Sequence, residues 1–259
     1  MHSALKRQLR RALKRFDIGV TRHGLLEKLE QDSRASNVIG LLLEIPNEQN
    51  KQLLTNSLHS RSQLGQDLFV LHETRFKRNG YFVEFGATNG IELSNTYLLE
   101  LEFGWTGILA EPARCWHQEL RTNRTCQIEN DCVWSESNKE LIFQESNWWE
   151  FSGVNMPGMP RKKGHKSYTV KTISLTDLLD RYSAPAIVDY LSIDTEGSEF
   201  EILNSFDFEK YRFRAITCEH NFAPRREEIF SLLSSKGYIR KYQNISGCDD
   251  WYVYPEQEG

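Results

Sequence analysis

Apolar and polar positions alternate regularly from about residue 62 to the end of the chain. Short apolar runs predict buried strands at 81–85, 106–111, 186–194 and 213–220. The amphipathic segments between them predict helices at 92–103, 113–123, 174–182, 198–206 and 224–237. On the first of these helices, Leu98, Leu99 and Leu101 are expected to face inward. This alternation predicts an α/β fold, with a mostly parallel sheet covered by helices on both faces.

The remaining segments have weaker patterns. A third short strand with its exit loop is predicted within 125–135, 140–145 is strand-like, and 238–243 and 250–255 close the chain as an antiparallel pair. The stretch 145–170 is rich in Gly, Pro and Trp and too long for a simple connection, so we expect a substrate-binding loop there.

Three aromatic residues of the 145–170 loop are candidates for substrate binding. Trp148 and Trp149 are either platforms for the face of a sugar or core residues. His165 is either a substrate contact or an ordinary loop residue.

Residues 1–60 are predicted to form a helical extension in front of the main domain at 61–259. Within this extension, residues 1–16 combine apolar positions at helical spacing with basic residues on the other positions. Such a helix could make peripheral contact with an anionic membrane. The alternative is a solvated helix that packs through its leucines.

Bulk composition excludes some classes of protein. The 259-residue chain has a formal net charge of −4, which argues against a general nucleic-acid-binding protein. Its five cysteines form no CxxC motif and no zinc spacing, which favours a reducing compartment. The longest apolar run, 38–45, is too short to span a bilayer, and no secretory signal is visible. A cytoplasmic location is therefore expected.

Residues typical of a nucleoside site follow two of the predicted strands. Ligands of a doubly wound sheet lie beyond the carboxyl ends of its strands. Gly86 and Gly90 would let a ligand approach the backbone closely. Glu111, 27 positions after Glu84, could accept two hydrogen bonds from a ribose diol. The stretch lacks the GxGxxG spacing of a pyrophosphate site, so a nucleoside without pyrophosphate, such as S-adenosylmethionine, fits better.

Acidic and polar residues follow two other predicted strands. Asp194 and Glu196 lie on the turn before a helix, and Glu219, His220 and Asn221 are consecutive. Acids at adjacent strand ends can share a hard cation through oxygen ligands. The alternative roles are a helix cap for the first pair and a satisfied polar core pair for Glu219 with His220.

Several of these motifs occur together and in order in a known family. They are SQLGQDLFV (62–70), YFVEFGATNG (81–90), SNTYLLE (94–100), GWTGILAEP (104–112), ISLTDLL (173–179), LSIDTEGSEFEIL (191–203) and the closing CEHN…GY…DDWYVY. In this order the chain, over about 62–254, resembles the FkbM family of S-adenosylmethionine-dependent methyltransferases. The resemblance implies a Rossmann-like class I methyltransferase fold with a seven-stranded sheet. It also implies O-methylation of a sugar, glycan or other hydroxylated acceptor.

The resemblance also implies a set of cofactor contacts. By position, Glu111 would hold the ribose hydroxyls, Asp131 and Cys132 would flank the adenine, and Asp194 would face the reacting end. The full set implied to bind the cofactor is Gln66, Glu84, Phe85, Gly86, Ala87, Asn89, Gly90, Ser94, Asn95, Thr96, Glu111, Pro112, Asp131, Cys132 and Asp194. Many members have Asp where this chain has Glu84.

A sugar hydroxyl needs a base or a metal to become a nucleophile at neutral pH. We expect Asp194 and Glu219, with Asn221, to bind a divalent cation such as Mg²⁺ or Mn²⁺ that holds the acceptor. His220 or Glu196 would then take the proton, with Asp194, Glu196 and His220 as the catalytic group. The rival functions are an NAD-dependent oxidoreductase and a membrane-associated non-catalytic scaffold, and the oligomeric state, a homo-oligomer included, stays open.

Overall fold

The computed structural model describes residues 35–45, 47–145, 152–154 and 166–255. The basic helix expected at 1–16 and the substrate-binding candidates Trp148, Trp149 and His165 lie outside these residues. Those expectations therefore stay predictions.

A seven-stranded sheet forms the centre of the molecule, in the order β10-β11-β9-β8-β1-β2-β3. Its parallel strands are β1 (Tyr81–Phe85), β2 (Thr106–Ala110), β3 (Gln127–Glu129), β8 (Ile187–Ile193) and β9 (Arg212–Glu219). An antiparallel pair, β10 (Ile239–Lys241) and β11 (Asp249–Val253), extends the sheet beyond β9. The strand order reverses between β1 and β8, which is the switch point of a Rossmann-like fold. The predicted fold class is confirmed.

Helices cover both faces of this sheet. They are α1 (Ala35–Glu44), α2 (Asn47–Asn56), α3 (Gln66–Glu73), α4 (Tyr97–Phe103), α5 (His117–Asn123), α6 (Leu175–Arg181), α7 (Glu199–Asn204) and α8 (Arg226–Ser235). Neighbouring strand residues point to opposite faces. On β1, Phe82 joins the core cluster formed with α1–α5, while Val83 joins the cluster formed with α6–α8. Burial on both faces explains why the parallel strands are almost continuously apolar.

One predicted helix begins later than its apolar pattern suggested. The helix expected at 92–103 begins at Tyr97, because residues 94–96 turn back and hydrogen-bond to Glu84. The expectation that Leu101 faces inward is wrong, since its side chain is 63% exposed. Phe103 takes the inward position on that helix.

A second, four-stranded sheet lies beside the first in the order β4-β7-β5-β6. It contains β4 (Cys132–Trp134), β5 (Glu140–Glu145), β6 (Gly153–Val154) and β7 (Lys166–Ser174). The segment 125–135, predicted to hold one short strand and its exit loop, thus contributes a strand to each of the two sheets. Parts of the stretch 145–170 that was expected to be a loop are strands.

Candidate functional site

A cleft of about 260 Å³ opens where β1, β2, β8 and β9 end. The last residues of β1 and β2, Phe85 and Ala110, lie side by side in the sheet, and the amide of Gly86 donates to the carbonyl of Ala110 over 3.2 Å. Gly86, Glu111, Asp194 and Glu219 all line this cleft. Residues far apart in sequence therefore meet at the sheet edge where ligands of doubly wound folds bind.

The two glycines after β1 have different neighbours. Gly86 has a φ of +75°, and a Cβ atom there would lie 2.3 Å from the backbone oxygen of Asp194. Only glycine therefore permits the close approach of the β1 and β8 ends. Gly90, with a φ of +81°, packs under Arg124 and Leu120, and a Cβ atom there would lie 2.6 and 2.7 Å from their side chains. Gly90 and the buried Ala87 support the loop without lining the cleft.

Glu84, in β1, anchors residues 94–96, which directly precede α4. Its carboxylate, 2% exposed, accepts hydrogen bonds from the Asn95 amide (2.7 Å), the Ser94 hydroxyl (3.0 Å) and the Thr96 hydroxyl. Burial raises the pKa of Glu84, while Arg124 and these donors act in the opposite direction. Ser94 and Thr96 thus reach Glu84 instead of the cleft.

Asn95 lines the cleft and is buried. Its amide nitrogen donates to the Ser192 hydroxyl over 2.9 Å, but its Oδ1 atom has no hydrogen-bond partner among the described residues. A buried acceptor without a donor is costly, so this atom requires a donor from a ligand or a water molecule.

Arg124 holds this polar layer together, and sequence reasoning did not identify it. Its Nη1 donates to the Gly90 carbonyl (3.0 Å) and the Ser94 hydroxyl (3.1 Å), and its Nη2 to the Thr96 hydroxyl (2.9 Å). Its Nε donates to Glu100 over 2.7 Å. One buried guanidinium therefore holds Gly90, residues 94–96 and Glu100 of α4 together behind the cleft. A single arginine after a helix gives no sequence signal for this role.

Glu111 is buried at the end of β2. Its two carboxylate oxygens accept the amides of Thr88 and Ala113, each over 2.8 Å. Burial is the main reason why its pKa rises to about 7, and the nearby Glu145 adds to the rise. The carboxylate keeps acceptor capacity toward the cleft, as a ribose diol requires.

Apolar side chains close the cleft beyond Glu111. Pro112 and Cys132, both expected to contact the cofactor, line this end together with Val133, Phe143 and Val154, which sequence reasoning did not select. Most of these residues come from the second sheet, whose pairing the sequence did not reveal.

Asp131 and Asn89 do not line the cleft. Asp131 pairs with Arg181 at 3.1 Å and donates its backbone amide to Glu129 over 2.8 Å. The Oδ1 atom of Asn89 accepts the amides of Ile91 and Glu92 within the turn. Both side chains therefore contact other groups of the protein instead of lining the cleft.

Carboxylates gather at the other end of the cleft. Asp194, Glu196 and Glu219 each place an oxygen within 4.8 Å of the others. Burial, followed by the charge of Glu219, raises the pKa of Asp194 well above its usual range. Burial and the neighbouring Glu196 raise the pKa of Glu219 to about 7.

Asp249, the first residue of the DDWYVY motif, joins this acidic end, although the sequence analysis gave it no role in the site. It pairs with Glu219 in the β9–β11 ladder, lines the cleft and is 6% exposed. Gln66 donates to its Oδ2 atom over 2.8 Å, while the Gln66 oxygen accepts the Leu64 amide over 2.8 Å. Gln66, expected to bind the cofactor, thus lines the cleft and orients Asp249.

His220 does not line the cleft, while Asn221 does. The His220 ring is buried, its Nδ1 accepts the Phe222 amide over 2.9 Å, and its Nε2 lies 3.8 Å from Asp250. Burial lowers its pKa. His220 is the first residue after β9, and its contacts with Phe222 and Asp250 hold its ring away from the cleft that Glu219 lines. This geometry gives His220 no access to an acceptor in the cleft.

Two properties concern the described residues as a whole. None of the helices within them is long and apolar enough to cross a membrane. None of the described side chains that line the cleft is a lysine, arginine or histidine.

Comparison with known proteins gives one family match. The sequence model of the family described as the Methyltransferase FkbM domain matches residues 84–240, more than half of the chain. No curated protein sequence matches the chain significantly.

Solved structures show weaker likeness. Precorrin-6y C5,15-methyltransferase from Geobacter metallireducens has 10% identity and a TM-score of 0.40, over 72% of this chain and 85% of that chain. The N-terminal domain of human METTL16 has 15% identity and a TM-score of 0.38, over 85% and 79%. At these scores neither structure bears on the function of this chain.

Proposed function

The chain belongs to the FkbM family of S-adenosylmethionine-dependent methyltransferases, and from this we propose that it methylates a hydroxyl group of a sugar or glycan. The observation that carries the proposal is the cleft at the ends of β1, β2, β8 and β9, which is lined by carboxylates and amides. Such side chains accept hydrogen bonds from hydroxyl groups. They do not neutralise phosphate, so the described part of this lining argues against a nucleic-acid acceptor.

The residues of the cleft fit S-adenosylmethionine in three places. Glu111 would accept the ribose hydroxyls, and Cys132 with Phe143 would cover the adenine. The unpartnered Oδ1 atom of Asn95 would receive a donor from the methionine part. Gly86, between these residues, is exposed and lines the cleft at the end of β1.

The bound cofactor supplies a methyl group on a positively charged sulfur. This methyl group would pass from the sulfur to the acceptor oxygen, whose hydroxyl proton would have to leave. Glu196 and Glu219 are the carboxylates of the cleft that we propose to receive this proton, while Asp194 accepts a hydrogen bond that orients the hydroxyl. His220, the other base expected from the sequence, has no part in this proposal because its ring faces Asp250.

A divalent cation is a further proposal for the same carboxylates. Asp194 and Glu219 would be ligands, with Glu196 as the third oxygen donor and Asn221 at the edge of the cleft. The spacing of the three oxygens supports it, because hard cations take oxygen ligands from several carboxylates. Unchanged turnover after exhaustive chelation would eliminate the cation and leave a carboxylate as the unassisted base.

Two measurements test the proposed function. In a thermal-shift assay, S-adenosylhomocysteine should raise the melting temperature and NAD should not, since a ligand of the folded state stabilises it. The reverse result would favour an oxidoreductase, and no response to either would favour a non-catalytic scaffold.

The second measurement concerns the acceptor. Glycans from cells that contain the protein should carry isotope-labelled methyl groups that are missing from cells with the Glu111→Gln variant, as read by mass spectrometry. Label in RNA or protein but not in glycans would contradict a sugar acceptor.

A further inference from the structure

A tight turn follows β9 at the edge of the cleft. It spans residues 220–223, and the Ala223 amide donates to the His220 carbonyl over 2.7 Å. Its two central residues, Asn221 and Phe222, have φ values of +43° and +56°. Asparagine adopts this left-handed conformation readily, but a bulky side chain such as that of phenylalanine is strained in it. The turn therefore requires contacts that stabilise Phe222.

His220 provides those contacts. Its Nδ1 atom accepts the Phe222 amide over 2.9 Å, and the two rings pack edge to face with their centres 5.3 Å apart. Nδ1 accepts a hydrogen bond only when it is unprotonated, and burial, which lowers the pKa of His220, favours that form. On the other side of the ring, Asp250 lies 3.8 Å from Nε2 and accepts two hydrogen bonds from Arg226, over 2.7 and 2.9 Å. The ring is therefore held on both sides.

The turn presents Asn221 to the cleft. The amides of His220 and Asn221 both donate to the Cys248 carbonyl, over 2.8 and 3.2 Å, which ties the turn to a residue that lines the cleft. Asn221 is exposed and lines the cleft too, and its side-chain amide makes no hydrogen bond within the described part of the chain. Because an amide offers two donors and an acceptor, one asparagine can bind two neighbouring hydroxyl groups.

The order of the strands gives the position of Asn221 relative to the cofactor. The proposed cofactor contacts Glu111 and Asn95 come after β2 and β1, whereas Asn221 comes after β9, with β8 between β9 and β1. Asn221 is also two residues from Glu219, one of the carboxylates proposed to receive the hydroxyl proton. In this arrangement the amide of Asn221 lies on the acceptor side of the cleft.

We infer that Asn221 contacts the hydroxylated acceptor and that His220 is the residue that positions it. The inference rests on the proposed function and assigns a specificity residue for its acceptor. His220 acts through Asn221, because it stabilises the strained Phe222 and so fixes the turn. Loss of either side chain should weaken binding of the acceptor and leave binding of the cofactor unchanged.

Transfer of labelled methyl groups from S-adenosylmethionine to a glycan fraction, prepared from cells that lack the protein, tests this inference. Asn221→Gly removes the amide and keeps the backbone conformation, since glycine adopts a φ of +43° without strain. It should raise the apparent KM for the glycan fraction about five- to tenfold, as expected for one or two lost hydrogen bonds, with kcat within about threefold. An unchanged KM would overturn the inference.

Asn138→Gly is the matched control for this variant. Asn138 is also an exposed asparagine with a left-handed backbone, with a φ of +61°, but it does not line the cleft. Its replacement should change neither KM nor kcat. An equal rise of KM in both variants would mean that the effect does not come from the cleft, and would contradict the role of Asn221.

Variants of His220 test the positioning role. His220→Leu removes the acceptor of the Phe222 amide and should raise the same KM about five- to tenfold, while His220→Asn keeps an acceptor there and should restore most of the affinity. When His220→Leu is combined with Asn221→Gly, the two increases should not multiply, because both changes remove the same contact. Increases that multiply, or no rescue by His220→Asn, would contradict the positioning role. The Kd of S-adenosylhomocysteine, measured by isothermal titration, should change less than about twofold in every variant.

Asn221→Asp distinguishes an acceptor contact from a cation ligand. Aspartate keeps an oxygen that a cation could bind but lacks both N–H donors. It should raise KM as Asn221→Gly does. Full activity of Asn221→Asp beside a weakened Asn221→Gly would make Asn221 a metal ligand and overturn the inference.

The outcomes also distinguish this inference from the proposed function. If the natural protein transfers no labelled methyl group to the glycan fraction, the proposed function is rejected and the inference with it. Transfer that is unaffected by Asn221→Gly would reject the inference alone.

Discussion

Lowering the pH below 7 is expected to weaken binding of S-adenosylhomocysteine, because Glu111 then gains a proton. Its pKa is raised from an ordinary 4.5 to about 7, mainly by burial. A ribose diol donates hydrogen bonds, so it favours the ionised carboxylate. Ligand binding should therefore release a proton at and below neutral pH.

The expected size follows from that pKa of about 7. About nine tenths of Glu111 is ionised at pH 8 and about one tenth at pH 6. The Kd should thus rise about tenfold between these values, or about 1.4 kcal/mol of binding free energy. In the absence of ligand, protonation of Glu111 has the opposite effect, because it stabilises the folded state. The raised pKa favours the protonated folded state, and this stabilisation is lost as the pH rises from about 4.5 to about 7.

Isothermal titration at pH 6, 7 and 8 measures the effect, with Glu111→Gln as the matched control. The thioether is the suitable ligand because its sulfur carries no charge that could interact with the carboxylates at the other end of the cleft. The variant should bind more weakly at pH 8 and show little pH dependence. A flat profile for the natural protein, or an equal slope for Glu111→Gln, would refute the role of this carboxylate.

Three further predictions concern single residues. Arg124→Met should cost about 3–5 kcal/mol in the free energy of unfolding, measured with denaturant, because it leaves Glu84 and Glu100 without their buried cation; a loss under about 1 kcal/mol would contradict this. Gly86→Ala should cost about 2–4 kcal/mol in the same assay and weaken S-adenosylhomocysteine, since its Cβ would lie 2.3 Å from a backbone oxygen; unchanged stability would show that the strand ends can separate. His220→Asn should lower turnover by less than about tenfold with an unchanged pH profile, because a general base contributes about 10²–10⁴-fold; a larger loss with an altered profile would restore His220 as the base.

The regular part of the fold could be predicted because its signals are local. The strand predicted at 81–85 coincides with β1, and that predicted at 186–194 differs from β8 by one residue at each end. Both are buried on two faces, so their apolar runs are continuous. The start of α4 at Tyr97 was missed because Glu84, not a helical pattern, determines the path of the three preceding residues.

The second sheet could not be predicted because it pairs distant segments. Cys132 lies opposite Thr172, and Glu140 lies opposite Lys171. No local pattern contains such a register. The apolar end of the cleft depends on this sheet, so Phe143 was not identified.

The candidate site was predicted where a residue type at a strand end was sufficient. Glu111 and Asp194 are of this kind, since any residue directly after a parallel strand lies near the common edge. Asp131 was expected to flank the adenine, but its carboxylate forms an ion pair with Arg181 and does not line the cleft. The orientation of His220 depends on its contacts with Phe222 and Asp250, which no local sequence pattern contains.

A crystal structure of the complex with S-adenosylhomocysteine would show whether the cofactor lies along the ends of β2, β1 and β8. We expect ribose hydroxyls within hydrogen-bond distance of the Glu111 carboxylate and the sulfur directed toward Asp194. A ligand bound outside this cleft, or with its sulfur at the Glu111 end, would contradict this placement of the cofactor.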